Sequence, residues 1–211
     1  MSRHHIHVGS VDGRIEPIYL GEISSDSIGK LMVPENLPAT GLDGEDRALL
    51  VGEPGEFLKQ MRMGEGKLWG LHTKLDAASP YQLAGAVSLL DMEPGREPEV
   101  ATFILDPAAR GKGAGTLAKQ GMLAYAFEQG KGSVLARTAE DNPGAIRSSE
   151  KAGFVRILSP RIGRVSLMAF NPEGPEYRAK DLKQWGITHE QVDAARRKYQ
   201  EAAEHVRIQH R

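Results

Sequence analysis

The residues Arg110-Gly111-Lys112-Gly113-Ala114-Gly115-Thr116 set two cations among three glycines, between a strand-like run that ends at Asp106-Pro107 and a helix-like one. A helix start exposes N–H groups that have no intrahelical acceptor, together with the positive end of the helix dipole. Glycines remove the side chains that would hold a phosphate away from those amides, and Arg110 and Lys112 add positive charge. The pattern fits a cradle for a diphosphate, although a tight strand-to-helix connection would use the same glycines. No Gly-Lys-Ser/Thr triplet follows, so the turn is not a P-loop. Runs that read as antiparallel strands, not a βαβ unit, precede it, which argues against a dinucleotide-binding fold.

A second segment, Asn142-Pro143-Gly144-Ala145-Ile146-Arg147-Ser148-Ser149-Glu150-Lys151-Ala152-Gly153-Phe154, is a helix with its own punctuation. Asn142 is the N-cap, Pro143 takes the first helical position, and Gly153 lies just past the end. Taken with the first segment it carries a resemblance. Arg110-Gly111-Lys112-Gly113-Ala114-Gly115 resembles the R-x-x-G-x-G signature of the GNAT acetyltransferases, and the second segment is similar to that family's Asn-started helix ending in Gly-Phe. Ile146-Arg147-Ser148-Ser149-Glu150-Lys151-Ala152-Gly153-Phe154 is most similar to the RimJ/RimL-like branch. The resemblance runs from Leu68 to Phe170 and is absent after Gly174.

The resemblance implies an α/β (α+β) fold of the GNAT kind, with a mixed, mostly antiparallel sheet splayed near its middle and helices on both faces. It implies an acyl-CoA-binding transferase domain over residues 1–173, followed by a C-terminal helical extension over 174–211. The pantetheine arm would lie in the splay along the backbone of Phe103, Ile104 and Leu105. The pyrophosphate would meet the amides of Arg110, Gly111, Lys112, Gly113, Ala114, Gly115 and Thr116. Asn142 stands where the family's Asn reaches toward the pantetheine, while its N-cap role is a sufficient structural reason for the same residue.

The implied activity is transfer of an acetyl group from acetyl-CoA to a primary amine, either a protein N-terminus or a small molecule. The amine must be deprotonated, the thioester oxygen stabilised, and the leaving thiolate given a proton. The chain has no cysteine, which removes a thiol acyl-enzyme and thiolate metal sites and favours direct attack in a ternary complex. Ser149 holds the position at which many relatives carry a proton-donating Tyr; a solvent-facing helical serine is the competing reading. For the general base, relatives carry a Glu where this chain has Val100. Glu99, one residue earlier and on the other face of the strand unless a bulge intervenes, is the first candidate, with a water chain beside it and His72 behind. A catalytically weak acyl-CoA sensor of the same fold is the rival reading, and a longer acyl donor is open.

The elements that must hold these residues follow from periodicity. Leu68–Lys74, Tyr81–Met92 and Glu99–Leu105 read as successive antiparallel strands, and Gly85 marks a bulge or a close backbone approach. Ala114 to Gln129 is a helix whose last turns are apolar all round, which predicts burial on more than one side. Ser133–Thr138 and Arg164–Phe170 are further strands. Earlier, Arg14–Leu20 reads as an edge strand because of Pro17, residues 33–44 as loop, and Pro54–Met63 as a short helix. A helix from His189 to Val206 has a stripe of Val192, Ala195, Tyr199, Ala202 and Val206, which suits docking on its own domain before a dimer seam. His4, His5 and His7 read as a frayed end in preference to a metal site.

With 211 residues, 40% of them hydrophobic and 26% charged, the chain suits one globular domain. The net charge of -1 argues against a nucleic-acid surface spread over the molecule. No apolar run approaches the roughly 18 residues that span a bilayer, and no signal-peptide core follows the N-terminus. The expectation is a cytoplasmic enzyme with no membrane partner and no metal.

Overall fold

The computed structural model describes residues 4–9, 17–21, 67–76, 78–159, 161–204 and 206–210, together with Ile23 and Ser27. The loop expected at 33–44 and the helix expected at Pro54–Met63 lie outside them. The described strands are β1 (His4–Val8), β2 (Ile18–Gly21), β3 (Lys67–Thr73), β4 (Gln82–Leu90), β5 (Glu99–Ile104), β6 (Ser133–Ala139), β7 (Val155–Ile157), β8 (Arg164–Phe170) and β9 (Val206–His210). They form one sheet in the order β7-β8-β6-β5-β4-β3-β2-β1-β9. Every pairing is antiparallel except β5 with β6. The described helices are α1 (Ala114–Glu128), α2 (Pro143–Lys151), α3 (Ala179–Trp185) and α4 (His189–Ala203). This is the mixed α/β arrangement of the GNAT fold.

The sheet alternates its side chains between two apolar layers, as the pleat requires. Val134, Ala136, Leu167 and Ala169 join Ile6, Leu20, Leu71 and Val87 in a core with Leu117, Met122 and Tyr125 of α1. Leu135, Met168 and Phe170 face the other way, onto Leu182 of α3, Ile187, and Val192 and Ala195 of α4. Helix α1 is buried along most of its length, including Ala118, Leu123 and Ala126. A helix so enclosed carries no amphipathic stripe, which explains why its last turns are apolar all round.

Two features set the site. In β4, the register against β3 shifts between Leu71 and His72, so Ala84 is the extra residue of a bulge, and its carbonyl accepts from both Leu105 N and Asp106 N at 2.9 Å. Beside it, a Cβ on Gly85 would fall 1.9 Å from the Phe103 carbonyl oxygen. Bulge and close approach are thus both present. Between β5 and β6 the register holds one pair, Glu99 with Leu135, supported by Leu135 N donating to Pro98 O at 2.7 Å. Beyond that pair the strands part.

The ends of the chain differ from the sequence reading. Residues 4–8 are a strand, not a frayed end: His5-Ile6-His7-Val8 alternates polar and apolar, and Ile6 and Val8 are fully buried. β2 is interior to the sheet, with Pro17 just ahead of it and clear of the ladder. Helix α4 stops at Ala203, and Val206 instead begins β9, which pairs with β1 along its length. The Val192, Ala195, Tyr199 and Ala202 stripe is buried within the chain's own fold, with the Tyr199 ring edge-on to Phe127 at 4.9 Å between centroids. The capping box at Thr188 and Gln191 fixes where α4 starts.

Candidate active site

Beside the parted end of β5 lies a cleft of about 380 Å³. Its described walls are Thr102 and Ile104 of β5, the turn residues Ala109, Arg110, Gly111 and Gly113, Ala114, Gly115, Thr116 and Lys119 of α1, and Asn142, Gly144, Ala145, Arg147, Ser148 and Lys151 at α2. Four of these side chains are basic (Arg110, Lys119, Arg147 and Lys151), and none is acidic. A cleft with one sign of charge concentrates the opposite sign.

The turn folds as its residues require. Asp106 caps a short 3-10 turn over Pro107–Ala109 by accepting from Ala108 N at 2.8 Å. Gly111 and Gly113 then take φ of +73° and +86°, a left-handed region that costs side-chain-bearing residues about 1–2 kcal/mol. Gly113 is the N-cap of α1 and offers no side chain to its amides. Arg110 N donates to Pro107 O and Thr116 N to Gly113 O, so the two ends of the expected amide run are engaged. Between them the amides of Gly111, Lys112, Gly113, Ala114 and Gly115 have no acceptor among the described residues. Lys112 turns outward, its Nζ 3.4 Å from Leu75 O. Arg110 locks the turn onto β5 through Nε to Ile104 O and Nη2 to Leu105 O, both at 3.0 Å.

Of Phe103, Ile104 and Leu105, Ile104 lines the cleft; Leu105 is buried, and the Phe103 carbonyl lies against Gly85. Thr102, on the same face as Ile104, was not singled out by sequence. Its Oγ1 is buried without a partner among the described residues, a polar atom that invites a ligand's amide. Asn142 Oδ1 accepts from Ala145 N at 3.1 Å, and the residue also lines the cleft, so both of its roles are compatible.

Ser149 is 2% exposed, and its hydroxyl donates to Ala145 O at 2.9 Å; the solvent-facing reading is overturned. It is the neighbouring Ser148 that lines the cleft. Ser148 Oγ donates to Ala145 O at 2.9 Å and accepts from Lys119 Nζ at 2.7 Å. Lys119 is 6% exposed, and burial lowers its amine to about 8. The sequence signal for it was weak: a lysine beside Gln120 in the second turn of a helix whose later turns are apolar. Glu99 lies at the fork of the splay, on the opposite face of β5 from Thr102, and pairs with Arg137 of β6. Burial pushes its carboxyl up, with Arg137 opposing in part. His72, on β3 beside the Tyr19 ring, is lowered by burial and lines no part of the cleft. No group of three potential metal ligands occurs among the described residues, and none of their helices is long and apolar enough to cross a membrane.

A sheet splayed between two parallel strands, with free amides and cations at the mouth of the splay, defines an acyl-CoA-dependent transferase. The family model of the acetyltransferase (GNAT) domain matches residues 50–155, half of the chain; the protein belongs to the GNAT acetyltransferases and is an acyl-CoA-dependent N-acyltransferase. Among solved structures it is similar to Mycobacterium smegmatis RimJ in complex with CoA-disulfide, with a TM-score of 0.60 and 12% identity over 88% of this chain and 95% of that one. It is also similar to Vibrio cholerae spermidine N-acetyltransferase in complex with CoA and spermine, at 0.51 and 18% over 72% and 93%. The GNAT domain of S. lividans PAT matches at 0.53 and 17% over 78% and 95%. At these identities the likeness is one of fold. No curated protein matches the chain in sequence.

Proposed function

We propose that this enzyme moves the acetyl group of acetyl-CoA to a primary amine by direct attack within a ternary complex. The observation that carries the reading is the opening of β5 from β6 after a single residue pair, which leaves room for an acylated arm between them. Among the described residues, five amides without acceptors and a rim whose ionisable groups are all basic suit the diphosphate, and the Thr102 hydroxyl without a partner suits the arm. The amine would enter from the far face of the sheet. There Glu99, raised by burial, is the proposed base that removes its proton. Motif position gives Ser149 the role of donor to the leaving thiolate. Its hydroxyl already serves Ala145 O, so it would act only by turning toward the thiol.

The acceptor classes are a polyamine, which the similarity to the spermidine N-acetyltransferase structure with spermine supports, and a protein N-terminus, with a RimJ/RimL-like branch as the finer assignment. Release of free CoA thiol is measured with acetyl-CoA and a panel of N-terminal peptides, polyamines and other amines. Turnover with one class identifies it. No turnover, together with a raised melting temperature in acyl-CoA, moves the protein to the sensor reading. Neither turnover nor binding overturns both. Unchanged kcat in Ser149→Ala removes Ser149 from the reaction.

A further inference from the structure

Lys119 is a cation in an unusual place. It projects from the second turn of a helix whose neighbouring positions, Ala118, Gly121 and Met122, are buried, and its amine reaches the inner wall of the cleft. An ammonium has three N–H donors. Among the described residues one acceptor meets them, Ser148 Oγ at 2.7 Å, and that hydroxyl is held in turn by Ala145 O. The ionisable groups that line the cleft with it are Arg110 from the turn and Arg147 and Lys151 from α2, all cations; β5 supplies the uncharged Thr102 and Ile104. Among the described residues, no wall of the cleft carries an acidic group that would neutralise a charge there. A buried cation without a counter-ion sheds its proton more easily, and an arriving anion reverses that balance.

Resting on the acyl-CoA reading above, we infer that the Lys119–Ser148 pair is a proton-linked anchor: Lys119 takes a proton from solvent as the acyl-CoA diphosphate enters, so that binding and protonation occur together. Ser148 holds the amine at the cleft wall, and the ligand's phosphate or amide oxygens supply the further acceptors that the described residues do not. The step is a simple protonation: one N–H bond forms on Nζ, and the proton comes from water or buffer. The lowered basicity of Lys119 in the free protein, about 8, places the effect within an accessible pH range.

The probe is S-methyl-CoA, which carries the diphosphate and arm but no ionisable thiol. Calorimetry is run between about pH 7 and pH 9.5 in paired buffers of different ionisation enthalpy, which reports protons taken up on binding. The wild-type chain is expected to take up about 0.7 proton near pH 8.5, and its affinity to fall roughly 20- to 30-fold across the range. Lys119→Met should bind with no such uptake and a nearly flat profile. Ser148→Ala keeps the amine but removes its acceptor, so its affinity should begin to fall at lower pH than in wild type. A merely structural lysine would weaken binding equally at every pH and leave the uptake intact. Equal proton uptake in wild type and Lys119→Met overturns the inference while leaving the acyl-CoA reading standing. Should Lys119→Met fail to fold, an unshifted Ser148→Ala profile overturns it instead. Absence of S-methyl-CoA binding by wild type at any pH is the separate result that sinks the acyl-CoA reading itself.

Discussion

Substituting Gly113 tests the diphosphate cradle directly, because this residue is at once the N-cap of α1, a left-handed position at φ +86°, and part of the cleft wall. Three variants separate the contributions. Gly113→Ala, Gly113→Gln and Gly113→Glu share the left-handed penalty of a side chain at φ +86°, about 1 kcal/mol of stability. Their melting temperatures should therefore fall together. Their affinities for CoA should not. Alanine leaves the amides open and should bind within threefold of wild type, and glutamine adds bulk alone. Glutamate adds a charge about 4 Å from a dianion, where each like-charge pair costs about 1 kcal/mol in water and about 4 kcal/mol at an effective dielectric constant of 20. For an open, basic cleft the lower half of that range applies, about 2–4 kcal/mol, or roughly 30- to 1000-fold in Kd. Isothermal titration with CoA measures it. If Gly113→Glu binds as tightly as Gly113→Gln, the diphosphate does not sit on these amides, and the cradle argument is wrong.

Gly85→Ala should destabilise the fold by about 3 kcal/mol in urea melts, since β4 and β5 must part by more than an ångström to clear the Phe103 carbonyl; a loss below about 1 kcal/mol would contradict that geometry. Glu99→Gln should lower kcat by about 10²- to 10⁴-fold. Because burial raises this carboxyl above its ordinary 4.5, the acid limb of the wild-type rate profile should lie above that value and vanish in the variant. Lys119 is held at about 8 when folded against an ordinary 10.5, so above pH 8 the unfolded chain binds the extra proton and stability rises with pH. The ligand-free protein should gain about 1.5 kcal/mol between about pH 8 and 9.5, and Lys119→Met should not. Tyr199, pushed up by burial, reverses the trend only at higher pH. A flat stability profile in wild type would show that Lys119 keeps its ordinary basicity.

What sequence made legible was local. The turn at Gly111–Gly115 needs two left-handed residues and a helix start, and Asn142 needs only the amide of Ala145 within its own first turn. The bulge beside Gly85 was legible because a glycine amid strand residues has few other reasons to be there. Lys119 was not, because the serine that holds it arrives on a different helix. Nor was the choice between Ser148 and Ser149: adjacent helical residues point about 100° apart, and only the placement of α2 decides which meets the cleft. The C-terminus was ambiguous in itself. Val206 completes a three-and-four helical stripe, yet Val206 and Ile208 also alternate as a strand, and pairing with His4–Val8 decides between them.

That pairing joins segments about two hundred positions apart, and contacts of such long sequence separation close late and slowly. During synthesis β1 emerges about two hundred residues ahead of the strand that covers its outer edge. Through that interval one side of its backbone, with Ile6 and Val8 between, stands open to any extended segment nearby. The protein's vulnerable moment therefore falls in its making, and chaperone binding to nascent chains cut before and after Val206 would differ on that account.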